Sequence, residues 1–203
     1  MRVLKFTPTK RFGSNTFVLI SGSEAVVIDP SVEYSKIREL VSAESIKFKY
    51  IILTHAHFDH MLEIDSWVAN TSADVIVGEG DAPALSDSYA NCYKLFSNFD
   101  TGYFGSYKTV KSGDVLPFGD IKLTVIETPG HSRGSISLCD DGILFVGDTL
   151  FYGGGYGRTD LPGSDEAALF SSIKRICSLN GNKMVYCGHG PDTTLVEIKS
   201  NFI

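Results

Sequence analysis

Residues His55-Ala56-His57-Phe58-Asp59-His60 form the stretch of sequence that decides how the rest of the chain is interpreted. Three of the five histidines of the chain and one aspartate fall within these six positions. In an extended segment, His55 and His57 point to the same side and could hold one cation. Asp59 and His60 follow where the chain turns into the next predicted helix, and burying such groups without partners is costly. The run therefore predicts a metal site with enough ligands to serve two ions.

The other two histidines also stand at the ends of apolar, strand-like runs, and so does one further aspartate, Asp148. A single histidine at a strand end is more often a hydrogen-bonded loop residue, but here all five follow such runs. Four strand ends that carry imidazole or carboxylate can meet at one rim of a packed scaffold. Imidazole and carboxylate are ordinary zinc ligands, and the two oxygens of Asp148 suit a bridge between two ions. The runs and their ligands are 49–54 with His55, His57 and His60, 121–126 with His131, 143–146 with Asp148, and 183–187 with His189.

The composition is that of an acidic globular protein. With 203 residues, 43% of them apolar, the chain can bury a sizeable core, and a single domain over residues 1–203 is expected. The net charge of −6 argues against nucleic acid or an anionic membrane as a partner and favours a small-molecule substrate. The apolar run at 17–20 is too short for a signal-peptide core or a membrane span, so we expect a soluble, cytoplasmic protein. The oligomeric state is left open.

The four cysteines are scattered and form no C-x-x-C pair, which argues against a zinc ribbon, a redox pair or a disulfide framework. We expect reduced, mostly buried thiols. Cys187 lies two positions before His189, but it is interpreted as a packing residue at a strand end rather than as a ligand.

The pattern of apolar residues predicts an α+β fold. Two strand-rich halves, each with helices, indicate two sheets in a sandwich with the helices outside. The segment 80–107 is rich in aromatic residues, and it favours a helix over 89–96 and then a loop, with the aromatic side chains in the core; alternatively, a loop of this length could form a wall of a substrate pocket. Three helices are predicted: one begins after Ser31, one ends at about Asn70, and one spans about 165–178. The predicted strands are 2–7, 15–21, 24–29, 49–54, 74–77, 121–126, 135–139, 143–146 and 183–186.

These motifs resemble the metallo-β-lactamase superfamily. The superfamily motif H-x-H-x-D-H matches residues 55–60 at every defined position. The segment 128–135, Thr-Pro-Gly-His-Ser-x-Gly-Ser, is similar to the T-P-G-H-T-x-G-S segment. Residues 147–151 resemble the G-D-x-L-F segment and residues 188–190 the final G-H-G element. The resemblance covers roughly residues 15–203.

The resemblance implies a four-layer αββα fold and a binuclear zinc hydrolase. Two zinc ions, or alternatively iron or a mixed iron and zinc pair, would lower the pKa of a shared water. The expected reaction is attack of a metal-bound hydroxide on a carbonyl, with Asp59 orienting the water or accepting its proton. By position, the first ion is held by His55, His57 and His131, the second by Asp59, His60 and His189, and Asp148 bridges them.

The loop 157–163, Gly-Arg-Thr-Asp-Leu-Pro-Gly, is similar to that of the short glyoxalase II-like (hydroxyacylglutathione hydrolase-like) hydrolases. This narrower resemblance implies a thioester substrate such as S-lactoylglutathione. Arg158 stands where those enzymes carry a glutathione-binding lysine, which makes it the candidate substrate-binding residue. The competing interpretation of Arg158 is a buried ion pair with Asp160 that holds the loop.

Other functions remain as alternatives. The persulfide dioxygenases share the Gly-Arg-Thr-Asp motif and would use one iron held by His55, His131 and Asp148. β-Lactam hydrolysis is disfavoured because Asp148 replaces the cysteine of many such enzymes, and the added domain and basic face of RNA-processing relatives are not visible. A metal-binding or interaction module without catalysis predicts a missing ligand, whereas all seven ligand positions are filled.

Overall fold

Two stacked six-stranded sheets form the centre of the computed structural model, which describes residues 1–8, 12–42, 45–97 and 100–202. Strands β2 and β10 are buried along their whole length because each sheet is covered on both faces. The first sheet runs in the order β1 (Arg2–Phe6), β2 (Thr16–Ser21), β3 (Glu24–Ile28), β4 (Lys47–Ile52), β5 (Asp74–Gly78) and β6 (Lys108–Val110). The second runs in the order β12 (Thr193–Thr194), β11 (Met184–Cys187), β10 (Ile143–Gly147), β9 (Ile136–Cys139), β8 (Ile121–Glu127) and β7 (Val115–Phe118).

The direction of the strands decides where their carboxyl ends meet. In the first sheet, β3, β4, β5 and β6 are parallel. In the second sheet, β8 and β10 are each antiparallel to β9, and β11 is parallel to β10. The strands β8, β10 and β11 therefore run in the same direction, and the loops that follow them leave the sheet at one edge.

Helices cover the outer faces of both sheets and complete four layers. The indole of Trp67 and the side chain of Ile37 pack against the first sheet in one apolar cluster. A second cluster fills the space between the sheets, where the rings of Phe17 and Phe145 lie 5.2 Å apart. A third cluster, which includes Leu169, lies beneath the other helices. The helices are α1 (Ser35–Ser42), α2 (Ile64–Asn70), α3 (Tyr93–Phe96), α4 (Glu166–Cys177) and α5 (Leu195–Phe202), with 3₁₀ turns at Phe58–His60, Glu79–Ser86 and Tyr152–Gly154.

The predicted α+β, four-layer αββα fold is confirmed, while several boundaries differ. The strand predicted at 49–54 is β4, which ends at Ile52. The N–H of Leu53 still donates to the carbonyl of Ile76 in β5, but the carbonyl of Thr54 accepts from the N–H of Ile136 in the other sheet. The first helix starts at Ser35 rather than directly after Ser31. Strands β6, β7 and β12 and helix α5 were not predicted, since the three strands have only two to four residues each.

The aromatic segment is the least accurate part of the prediction. Only α3 is helical within the predicted helix 89–96, because Cys92 adopts a left-handed backbone with φ of +65°, which no helix continues. Tyr103 is buried, whereas Tyr89 and Phe104 are exposed, so most of the stripe is not core. Phe99 lies outside the described residues.

The cysteines are free and mostly buried, as expected, and Cys187 packs in the apolar cluster under α4 and α5. In the part of the chain that the structure describes, no helix is long and apolar enough to cross a membrane.

Candidate metal centre

The structure brings the seven predicted ligands together at one edge of the two sheets. β4 leads into the loop with the first four of them, and β8, β10 and β11 lead into the other three. Five of the side chains are buried, while Asp59 and His189 are partly exposed. The three sets whose ligand atoms all lie within 4.8 Å of one another are His55, His57 and His131; His55, His60 and Asp148; and Asp59, His60 and His189.

Asp148 lies between the histidines of the two predicted metal positions. Its Oδ2 is 3.6 Å from Nε2 of His131 and 3.4 Å from Nε2 of His189. Its Oδ1 is 3.3 Å from Nε2 of His60. A carboxylate with this placement can face two cations at the same time.

Two buried ligand atoms among the described residues have no hydrogen-bond partner, and this supports a fit to metal ions. They are Nε2 of His55 and Oδ1 of Asp148. His57 also turns its Nδ1 toward Nε2 of His131 at 2.9 Å. An unpartnered polar atom in the interior costs free energy, and a cation bound by these nitrogen and oxygen donors would remove much of that cost. The donor set is the one that zinc and other divalent transition metals prefer.

The orientation of His60 is set by Asp29, a residue that the sequence analysis did not single out. Nδ1 of His60 lies 2.8 Å from Asp29 Oδ2, and since a carboxylate only accepts, this nitrogen donates and Nε2 faces the cluster. Asp29 also accepts from the backbone N–H and the hydroxyl of Thr54, both at 2.8 Å. Hydrogen bonds of this kind orient a metal-binding imidazole. The available signal was an aspartate directly after a buried strand, β3.

His131 is oriented in the same way by a backbone carbonyl. Its Nδ1 donates to the carbonyl of Arg158 at 2.9 Å, so that Nε2 is directed to the cluster. The loop that contains Arg158 can lie close to Asp148 and His131 because Gly157 has no side chain. A Cβ at Gly157 would overlap the carbonyl oxygen of Asp148 and come within 2.8 Å of Nδ1 of His131.

Burial and neighbouring carboxylates divide the histidines into two groups. Burial lowers the pKa of His55 well below its ordinary value and that of His57 to about 3, which leaves neutral imidazoles that can bind a cation. Burial also opposes protonation of His60 and His189, but nearby carboxylates outweigh it. Asp29 and Asp148 hold the pKa of His60 well above its ordinary value, and Asp148 raises the pKa of His189 to about 9. This part of the cluster thus attracts positive charge.

Asn15 holds the loop that carries His189. Its side-chain amide donates to the carbonyls of Cys187 at 2.9 Å and Gly190 at 3.1 Å, and its backbone N–H donates to Gly188 at 2.7 Å. Asn15 is buried, so these bonds are shielded from water. The sequence analysis missed this residue because its partners lie more than 170 positions away.

Asp81 connects the two halves of the site and was also missed. Its carboxylate accepts from the backbone N–H of Ala56 at 2.9 Å, the hydroxyl of Ser132 at 2.7 Å and the backbone N–H of Gly134 at 2.6 Å. Asp81 is buried, and the loops that it joins carry the H-x-H run and His131. Its position after β5 parallels that of Asp29 after β3.

Asp81→Ala is expected to lower the free energy of unfolding by about 3 kcal/mol, because three buried donors would lose their acceptor. Urea denaturation, followed by circular dichroism, measures this change. Asp141→Ala, at an exposed position, is the matched control and should leave the midpoint nearly unchanged. An equally small effect of both substitutions would show that Asp81 does not join the two loops.

The ligand set opens into a cavity of about 320 Å³. His57, Asp59, His131, Asp148 and His189 form part of its surface, and most of the remaining wall is aromatic. This volume lies near the lower end of the range of about 300–1,000 Å³ that is usual for small-molecule sites. The cluster is therefore accessible to a small substrate.

Arg158, the predicted substrate-binding residue, lines this cavity and is paired with Asp160. Its Nε and Nη2 donate to the two carboxylate oxygens of Asp160, both at 2.8 Å. The expected ion pair is present, but it is not buried: the side chains of Arg158 and Asp160 are 57% and 68% exposed. The pair forms at the surface because both residues lie in the loop after Gly157 rather than under a helix. Exposed pairs of this kind contribute little to stability.

Comparison with known proteins agrees with the fold and identifies the family. A family model described as the metallo-beta-lactamase superfamily matches residues 9–189. A Bacillus subtilis (strain 168) protein named "Probable metallo-hydrolase YqgX" is 30% identical over 192 residues, which are 93% of this chain and 90% of that protein. A Methylobacillus flagellatus protein named "Hydroxyacylglutathione hydrolase" is also 30% identical over 192 residues, and these cover 92% of this chain but 66% of that longer protein.

Three solved structures are similar over nearly the whole chain. The BLEG-1 B3 metallo-beta-lactamase has a TM-score of 0.87 at 30% identity and covers 97% of this chain and 95% of its own. TTHA1623 in a di-iron-bound form has a TM-score of 0.78 at 31% identity and covers 97% and 96%. ETHE1 from Myxococcus xanthus has a TM-score of 0.77 at 26% identity and covers 100% and 83%.

Proposed function

Because this chain belongs to the metallo-β-lactamase superfamily and is a metallo-hydrolase of that superfamily, we propose that it hydrolyses thioesters at a centre of two zinc ions. The observation that carries the proposal is the convergence of seven ligand side chains, five of which line a cavity whose remaining wall is largely aromatic. The relative named hydroxyacylglutathione hydrolase supports a thioester, and S-lactoylglutathione is the first substrate to test. The di-iron form of TTHA1623 makes iron, alone or with zinc, the alternative metal.

The superfamily resemblance implies how the seven ligands are assigned to two ions. His55, His57 and His131 would hold one ion and Asp59, His60 and His189 the other, with Asp148 between them. Two bound zinc ions would polarise the substrate carbonyl and lower the pKa of a water molecule between them.

Asp59 is the proposed catalytic base. Its Oδ2 lies 3.1 Å from Nε2 of His189, and the side chain reaches the wall of the cavity. Oδ1 is the atom that we propose orients the attacking water and accepts its proton. A thiolate is a stable leaving group, so its departure requires no general acid. The aromatic walls would keep bulk water away from the reacting carbonyl.

Asp59→Asn tests this role. The substitution keeps the shape of the side chain but removes its charge and its basicity, so kcat/KM for S-lactoylglutathione should fall by about 10²-fold to 10⁴-fold. Metal content, measured by mass spectrometry of the purified protein, should be about two ions per chain in the wild type and lower in the variant. Asp141→Asn is the matched surface control and should behave as the wild type.

The two parts of the proposal fail in different ways. Full activity of Asp59→Asn would remove Asp59 from the mechanism while leaving thioester hydrolysis intact. A wild-type protein that carries two ions but cleaves no thioester would exclude the substrate class. The β-lactam nitrocefin belongs in the same assay, because the BLEG-1 relative is described as a B3 metallo-beta-lactamase.

A persulfide dioxygenase with one iron held by His55, His131 and Asp148 is the second candidate. The loop with Arg158 and the similarity to ETHE1 speak for it. The complete second ligand set favours the binuclear hydrolase over this alternative. The test is metal analysis together with an oxygen-consumption assay. One iron per chain and oxygen consumption in the presence of glutathione persulfide would support the dioxygenase.

A further inference from the structure

Apart from the ligand set, the cavity wall is mostly apolar and largely made of rings. The apolar lining residues are Phe12, Phe58, Phe96, Phe151, Tyr156 and Leu161. Phe12, Phe58 and Phe96 contact one another, with centroid distances of 6.1, 6.2 and 5.8 Å. Rings that pack on each other form a preformed surface, and burying an apolar group against such a surface gains binding free energy.

Polar groups suited to a substrate hydroxyl are scarce on this wall. Apart from the ligand set, the lining side chains with polar atoms are Cys92, Arg158 and Tyr156, as far as the described residues extend. Burial raises the pKa of the Cys92 thiol to about 11, so it stays neutral and behaves as a small apolar group. Two nitrogens of Arg158 are engaged by Asp160, and its guanidinium lies 5.7 Å from the ring centre of Phe96.

The size and the polarity of the cavity together distinguish the two halves of a thioester. A volume of about 320 Å³ can enclose an acyl group, whereas a carrier thiol such as glutathione carries carboxylates and an ammonium group, which favour solvent over aromatic rings. The enclosed half therefore meets the ring surface. A hydroxyl buried there without a partner would lose its hydration, while each methylene would gain from leaving water.

We infer that the preferred substrates are thioesters with an apolar acyl group, such as a medium-length aliphatic or arylacetyl group, rather than a hydroxyacyl group. This inference rests on the proposed thioester hydrolysis and names the substrate class of that site. Phe96 is the specificity-determining residue, because its ring lines the cavity, contacts the rings of Phe12 and Phe58, and is 38% exposed.

The test uses the metal-loaded enzyme and one neutral thiol, N-acetylcysteamine, with acetyl, butyryl, hexanoyl, phenylacetyl and lactoyl groups. kcat/KM should rise about threefold to fivefold with each added methylene until the cavity is full. It should be at least about tenfold higher for hexanoyl than for lactoyl. A series on glutathione with the same acyl groups should show the same order. A preference that follows the thiol rather than the acyl group would overturn the inference.

Phe96→Ala should reduce kcat/KM for hexanoyl at least about fivefold more than kcat/KM for lactoyl, because the longer apolar group loses more contact. Phe96→Leu should restore most of the preference for hexanoyl over lactoyl. Leu95→Ala, on the same short helix but not at the cavity, is the matched control. Equal losses for both acyl groups in Phe96→Ala, with Phe96→Leu showing the same losses, would assign Phe96 a structural role and overturn its part in specificity.

Binding of the product acids separates this inference from the proposed function. Calorimetry of the metal-loaded protein with phenylacetate and lactate compares two ligands that share a carboxylate and differ in the attached group. Phenylacetate should bind at least about tenfold more tightly. If no thioester is cleaved but this ratio holds, thioester hydrolysis fails and the apolar site stands. If thioesters are cleaved but lactoyl is preferred, or if the two acids bind equally, the inference is overturned.

Discussion

Replacement of Asp148 by alanine should release both metal ions and reduce kcat/KM by at least about 10⁴-fold, equivalent to roughly 5.5 kcal/mol of transition-state stabilisation. The expectation follows from the position of the carboxylate, which faces Nε2 of His131, His60 and His189 at 3.3 to 3.6 Å. The two oxygens of this carboxylate thus face histidines of both predicted metal positions. Its loss would also remove the main counter-charge of His189, while His60 would keep the carboxylate of Asp29.

Metal content per chain and the activity of each variant, reconstituted with zinc, measure this prediction together. Asp120→Ala, an exposed carboxylate in the turn between β7 and β8, is the matched control and should keep wild-type values. Asp148→Asn should retain part of the metal, because the amide keeps one oxygen but not the charge. Two tightly bound ions in Asp148→Ala would contradict the bridging role.

Gly188→Ala should be almost as damaging, although the glycine carries no chemical group of its own. A Cβ at this position would overlap Oδ1 of Asp148 and come within 2.7 Å of Cε1 of His60. The overlap cannot be relieved easily, because Asp29 holds His60 and Asn15 holds the loop that contains Gly188. We expect metal affinity to fall by at least about 100-fold and kcat/KM by about 10³-fold, since misplaced catalytic groups lose their orientation.

Zinc titration with a competing chelator and steady-state kinetics measure the two effects. Gly155→Ala is the matched control on the neighbouring loop: its Cβ would meet Phe151 only at an ordinary 3.4 Å, and its φ of −69° suits any residue. The control should retain metal and activity. Wild-type metal affinity in Gly188→Ala would show that the loop can shift and that the close approach to Asp148 is not required.

The ligand set could be recognised from the chain because its chemistry is concentrated in short, local patterns. Imidazole and carboxylate at the ends of apolar runs indicate a metal site whatever the exact strand boundaries are. The error of two residues at the end of β4 did not displace His55 from the rim, because the loop after the strand carries it there. Strand and helix periodicity likewise sufficed for the αββα layers.

Asp29, Asp81 and Asn15 escaped recognition for a different reason. Each holds a ligand loop through hydrogen bonds to residues 25 to 175 positions away, and a single acidic or amide residue after a strand has no distinctive pattern. The aromatic segment shows the same limit. Its spacing suggests a helix, yet the left-handed residue Cys92 ends that helix and brings Phe96 to the cavity wall.

The sequence alone determined the class of chemistry, because a metal site needs particular donor atoms and those are written in the residue types of positions 55–60, 131, 148 and 189. The tertiary structure decided what the donors face. It placed Asp148 between the histidines, paired Arg158 with Asp160, and lined the remaining wall with rings. These features depend on distances between loops from separate strands, and such distances exist only once both sheets have packed.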